Sequence, residues 1–182
     1  MLRRRMAAAV ASAGLLVSMA TGTASAMGSG DAYEDMQVGV TYTVYEPSYT
    51  AGLKAQHIGG NSLCPEGTDE NLVAIYGKKS KTQFTLWEGN PMCQDIGVGE
   101  KVATAKIDGA TATVYAYCDP TSSDPCTRKS VKQFGGHVEV TLPAGGPGLR
   151  ETRVWIETFS AQNLTTKKLL RIARSLAPVQ GS

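Results

Sequence analysis

Apolar and polar residues alternate with period two along several short stretches of this chain, and a helical period takes over only near its C-terminus. Val38, Val40, Tyr42 and Val44 alternate with polar or small neighbours, which predicts a first strand over Gln37 to Pro47. Asn71 to Tyr76 (NLVAIY) and Lys81 to Glu88 (KTQFTLWE) predict a hairpin around the polar turn GKKS. Lys101 to Asp108 and Ala110 to Tyr117 predict a second hairpin, with Asp108-Gly109 marking its turn. His137 to Pro143 and Arg153 to Phe159 predict a third pair, joined through the glycine-rich segment AGGPG. Leu164 to Leu176 then reads as a helix. Thr165 stands at the N-cap position, and Leu164 and Leu169 have the spacing of a hydrophobic staple. Leu169, Leu170, Ile172, Ala173 and Leu176 fall on one helical face, and Pro178 ends the run. So short a helix does not hold itself in water and needs a surface to dock on. The aliphatic faces of the two strands before it are the expected surface. Ser48 to Glu70, rich in Gly, Ser and Asn, reads as a long connection.

These elements predict one α+β domain over residues 37–178. A twisted antiparallel sheet of about six or seven strands packs against the C-terminal helix, and two disulfides tie the loops. Residues 1–26 stand apart from it. Three arginines, a short Ala/Val/Leu/Met run and the Ala24-Ser25-Ala26 step make a secretory signal peptide. Its apolar run is short for a membrane span, so no stable anchor is expected after cleavage. Residues 27–36 then read as a flexible leader and residues 179–182 as a tail.

Cleavage changes the electrostatic picture. Fifteen basic residues face sixteen acidic ones after residue 26, a net charge of −1. Such a balance gives no reason to expect nucleic acid or an anionic membrane as partner. The expected location is extracytoplasmic, either released or held at the cell wall. All four cysteines lie in the exported part: Cys64, Cys93, Cys118 and Cys126. An even number in an exported chain predicts two disulfides, and Cys64–Cys93 with Cys118–Cys126 is the preferred of three pairings. There is no C-x-x-C pair and there are two histidines in all, so no zinc site, other metal or cofactor is expected.

Recognisable catalytic signatures are missing as well, including G-x-S-x-G, H-E-x-x-H and a phosphate-binding P-loop. No catalytic residue is therefore assigned. His137 or His57 would be the imidazole of a small secreted hydrolase, which is one alternative. A second alternative is an inhibitor or interaction protein that presents the Cys118 to Cys126 loop. Lys167, Lys168, Arg171 and Arg174 form a basic helix face, read first as a solvated side. Asn163-Leu164-Thr165 matches a glycosylation sequon by chance.

The aromatic residues carry the leading expectation. If Val138, Val140, Val154 and Ile156 face the helix, alternation sends Trp155 and Phe159 to the other side of the sheet. Trp87 alternates against Phe84 and Leu86 in the same way, and Tyr115 and Tyr117 share one face. With His137 they would make a binding face for a small hydrophobic ligand, a peptide-like one, a wall component or a protein. The alternative is a second core layer under Ser48 to Glu70. A register slip of one residue would reverse the assignment.

The segments GHVEVTLP and RVWIETFSAQNLTTKKLLRIARSL resemble the ending of some bacterial extracytoplasmic domains. These occur in sporulation proteins, anti-sigma-factor ectodomains and relatives of the lipoprotein-carrier fold. IDGATATVYAY resembles a strand of the same domains, and the resemblance covers roughly the last 75 residues. It implies a non-enzymatic module that binds lipid, wall material or protein. The chain departs from it in its four cysteines and in having neither a transmembrane segment nor a lipobox. The matching residues are structural, so the resemblance carries over no functional residue.

Overall fold

A computed structural model describes residues 31–61, 64–66, 68–79, 81–119, 121–159 and 163–179. The expected signal peptide, the first part of the leader and the end of the tail lie outside the described residues. Seven strands form one antiparallel sheet: β2 (Ala55–Asn61), β3 (Asn71–Gly77), β4 (Gln83–Gly89), β5 (Glu100–Ile107), β6 (Ala110–Ala116), β7 (Gly135–Leu142) and β8 (Thr152–Phe159). Their order across the sheet is β2-β3-β4-β8-β7-β6-β5. Two meanders, β2-β3-β4 and β5-β6-β7-β8, therefore join where β4 pairs with β8. Among the described residues three short helices accompany the sheet: α1 (Ala32–Gly39), α2 (Ser130–Phe134) and α3 (Thr166–Arg174). Two short strands, β1 (Tyr45–Pro47) and β9 (Leu176–Pro178), pair with each other away from the main sheet. Among the described residues no helix is long and apolar enough to cross a membrane.

One face of the sheet is the core face. Leu72 and Ala74 of β3, Phe84 and Leu86 of β4, Val154 and Ile156 of β8 and Val138 and Val140 of β7 are all buried there. Ala112, Val114 and Ala116 of β6 extend the same apolar surface toward β5. Leu169, Ile172 and Ala173 of α3 belong to this cluster, as do Tyr33, Tyr42 and Val44 from the N-terminal segment. The helix starts where Thr165 accepts from the Lys168 amide, an N-cap that satisfies one orphan donor. It contacts β7, β6 and β5, toward one edge of the sheet. Of its two expected partner strands, β7 is among these, and Val154 and Ile156 of β8 share its core cluster.

Three other expectations need correction. The second half of the expected leader is helical: Asp31 caps α1 by accepting from the Tyr33 amide at 2.9 Å, and Tyr33 is buried. The expected first strand over Gln37 to Pro47 is helix to Gly39, and strand only over Tyr45–Pro47. Its alternating Val40, Tyr42 and Val44 are buried without a long ladder partner, and Tyr42 makes an isolated bridge to Arg150. The expected long connection Ser48 to Glu70 contains an edge strand, β2. The link Thr127 to Gly136 holds α2. Both disulfides form, Cys64–Cys93 and Cys118–Cys126.

Candidate functional site

Strand register builds the second face of the sheet. Trp87 of β4 stands opposite Trp155 of β8, which stands opposite Glu139 of β7. In the next row Thr85 faces Glu157, Glu157 faces His137, and His137 faces Tyr115 of β6. Because side chains alternate, both rows point away from the core face. The Tyr115 and His137 rings stack with centroids 4.8 Å apart, and Tyr117 closes on the same imidazole at 5.9 Å. Tyr117 donates its hydroxyl to Glu157 Oε1 at 2.6 Å. The structure thus brings together Trp87, Trp155, Tyr115, Tyr117 and His137. Phe159 has the same parity but sits at the strand end opposite Gly135, 48% exposed and outside the cluster.

A loop supplies one wall. Asp95 to Gly99, Tyr115, His137, Glu139, Arg153 and Trp155 line a cleft of about 310 Å³. Gly99 lets this loop lie against β6, where a Cβ would come 2.9 Å from the Ala116 carbonyl. Upstream the loop is held by the Cys64–Cys93 bridge and by Asn71. The Asn71 side chain donates to the Pro91 carbonyl at 2.8 Å and accepts from the Cys93 amide at 2.6 Å. On the rim Arg153 donates to Glu139 at 3.0 Å and lies over the Trp155 ring, 5.7 Å from its centroid. Both partners of this ion pair are solvent-accessible, so it positions the rim more than it stabilises the fold.

Burial sets the electrostatics. It lowers the His137 pKa to about 4, with the Glu139 carboxylate pulling the other way. The ring is therefore neutral at neutral pH. Burial also raises the Glu157 carboxyl above its ordinary value, against the opposing effects of Tyr117 and Trp87. The Trp87 indole nevertheless falls outside hydrogen-bond geometry: its Nε1, the Trp155 Nε1 and the His137 Nδ1 are buried with no partner among the described residues. Gln94 Oε1, on the approach to the loop wall, shares that condition. Unpaired buried polar atoms are rare and each costs roughly 1–3 kcal/mol, so their grouping on one face points to a shared purpose.

Other candidate chemistry is placed elsewhere. His57 lies on the edge strand β2 and is exposed. Among the described residues one potential metal group appears, Glu100 with Cys118 and Cys126, and its sulfurs are consumed by the disulfide. Glu139, Arg153 and Glu157 were absent from the aromatic set, although they share parity with Trp155 and His137. The loop wall had no sequence signal of its own. No protein-family model matches the chain, and no curated protein or solved structure matches it significantly.

Proposed function

We propose that this is a non-enzymatic, exported binding protein whose ligand lies on the aromatic face beside the Asp95 to Gly99 loop. The observation that carries the reading is a pair of buried atoms in the cleft wall with no hydrogen-bond partner among the described residues, Trp155 Nε1 and His137 Nδ1, beside the Tyr115 ring. A purely apolar ligand would leave both atoms unpaired. A ligand with flat apolar faces and hydrogen-bond acceptors would satisfy them while stacking on the rings. Peptide-like and glycan wall components have this chemistry, and Glu139 and Arg153 on the rim suit their polar groups. Export is supported by the N-terminal sequence pattern and by two disulfides that use every cysteine.

The hydrolase alternative draws less support. The His137 ring contacts two tyrosine rings, and its depressed pKa makes it a weak base at neutral pH. The interaction-protein alternative rests on the exposed stretch between Cys118 and Cys126, where among the described residues no buried polar atom is left unpaired.

The test is calorimetric titration with soluble peptidoglycan fragments. Wild-type protein binds them, and Trp155→Ala weakens binding by tenfold or more, the scale of a buried aromatic anchor at an interface. Circular dichroism checks that the variant is folded. Equal affinity in the folded variant removes the aromatic cleft as the site.

A further inference from the structure

A second concavity lies on the other side of the sheet, between the edge strand β5 and helices α2 and α3. It encloses about 730 Å³. Its floor is apolar: Ala103 and Ala105 of β5 are too small to fill the space under α3, and Leu170 turns into it. Leu170 is only partly buried, whereas Leu169 and Ile172 beside it are fully buried in the core. Around this floor stand Arg128, Lys129, Lys132, Lys167 and Arg174. Among the described residues no acidic side chain lines the groove, and none of these five cations is ion-paired with a carboxylate. The rim is fixed to the helix, because Thr166 Oγ1 donates to the Arg128 carbonyl at 2.9 Å. The positive end of α3 also opens there, at Thr165 and Thr166.

We infer that this groove binds a single-chain amphiphile with an anionic phosphate head. The apolar floor takes the acyl chain, and the cationic rim takes the phosphate. Neither half accounts for the whole feature. A bare cationic face needs no apolar concavity beneath it, and a bare apolar groove needs no ring of unpaired cations. Lysine and arginine together suit a multiply charged phosphate, the one as a point charge and the other as a fork. The volume lies within the range of small-molecule sites, roughly 300–1,000 Å³. This inference stands independently of the aromatic cleft.

The experiment is titration of the whole exported protein with oleoyl lysophosphatidate below its micelle concentration. Monoolein and glycerol phosphate serve as tail-only and head-only probes. Lysophosphatidate is expected to bind at least tenfold tighter than either. Ala105→Phe, which fills the floor, and the pair Lys132→Glu with Lys167→Glu, which reverses the rim, should each cost tenfold or more. Trp155→Ala should cost nothing, because both tryptophans lie on the opposite face. Equal binding of glycerol phosphate, equal binding of monoolein, or no binding of lysophosphatidate would each overturn the proposal. So would binding lost in Trp155→Ala and kept in the groove variants, or binding confined to anionic vesicles.

Discussion

Glu88 is a carboxyl that the fold holds in its core. It is fully buried; Oε2 accepts from the Tyr45 amide at 2.9 Å and Oε1 has no partner among the described residues. Burial raises its pKa well above the ordinary carboxyl range, and the Tyr45 hydrogen bond opposes this only in part. The sign follows from linkage. The unfolded carboxyl releases its proton near pH ~4.3, while the folded one keeps it. The stability tied to that proton is complete below about pH 4.3 and is lost as pH rises toward the folded pKa. Glu88→Gln should therefore flatten the fall in urea-unfolding free energy between pH 5 and 9. A residual slope remains, because burial also raises Glu157 and Glu46. A variant with the wild-type slope contradicts this account. His137 has the opposite sign: its pKa is lowered to about 4. Its contribution is present above the unfolded value of about 6.5 and is lost as pH falls toward 4. Proton NMR should follow its imidazole titrating near pH 4 in the folded protein, and a midpoint near 6.5 would mean that the cleft hydrates the ring.

At the scale of elements, α3 holds by packing. Leu169 and Ile172 are fully buried, so Leu169→Ala or Ile172→Ala should cost about 2–5 kcal/mol in urea unfolding. Thr165→Ala, which removes only the cap, should cost about 1 kcal/mol. Equal losses from the three would show that the helix does not dock as described. The three hairpins were legible in the sequence because each buries one face, so period two is written into LVAIY with TQFTLWE, KVATAKI with ATATVYA, and HVEVTL with RVWIETF. β2 was not legible, because AQHIGGN is an edge strand with no buried stripe to mark it. Val40, Tyr42 and Val44 misled for a different reason. They are buried through contacts with distant segments: the Tyr42 hydroxyl donates to the Glu70 carbonyl, and Val179 donates its amide to Val44. α1 carried one readable signal, Asp31 ahead of Glu34, which resembles an N-cap followed by an acidic first turn. The aromatic face followed from alternation alone, but its unpaired indoles and its loop wall depend on register and on tertiary contacts that no local pattern encodes.

On the scale of the whole molecule, the two disulfides serve different walls. Cys64–Cys93 ties the segment after β2 to the chain that runs into Asp95 to Gly99, the wall of the aromatic cleft. Cys118–Cys126 ties the end of β6 to the approach of α2, two residues before Arg128 on the cationic groove. The backbone between them is a shared rigid sheet, so each bridge should act locally on its own side. Removing either one costs stability, typically about 2–4 kcal/mol, chiefly by freeing the unfolded chain. Binding should separate them. Replacing Cys64 and Cys93 by Ser should weaken peptidoglycan-fragment binding severalfold and leave lysophosphatidate binding unchanged at a temperature where the variant is fully folded. Replacing Cys118 and Cys126 by Ser should do the converse. Parallel calorimetric titrations of both double variants with both probes make the comparison. If each variant loses both ligands in proportion to its lost stability, the bridges support only the fold, and the walls owe their positions to the sheet alone.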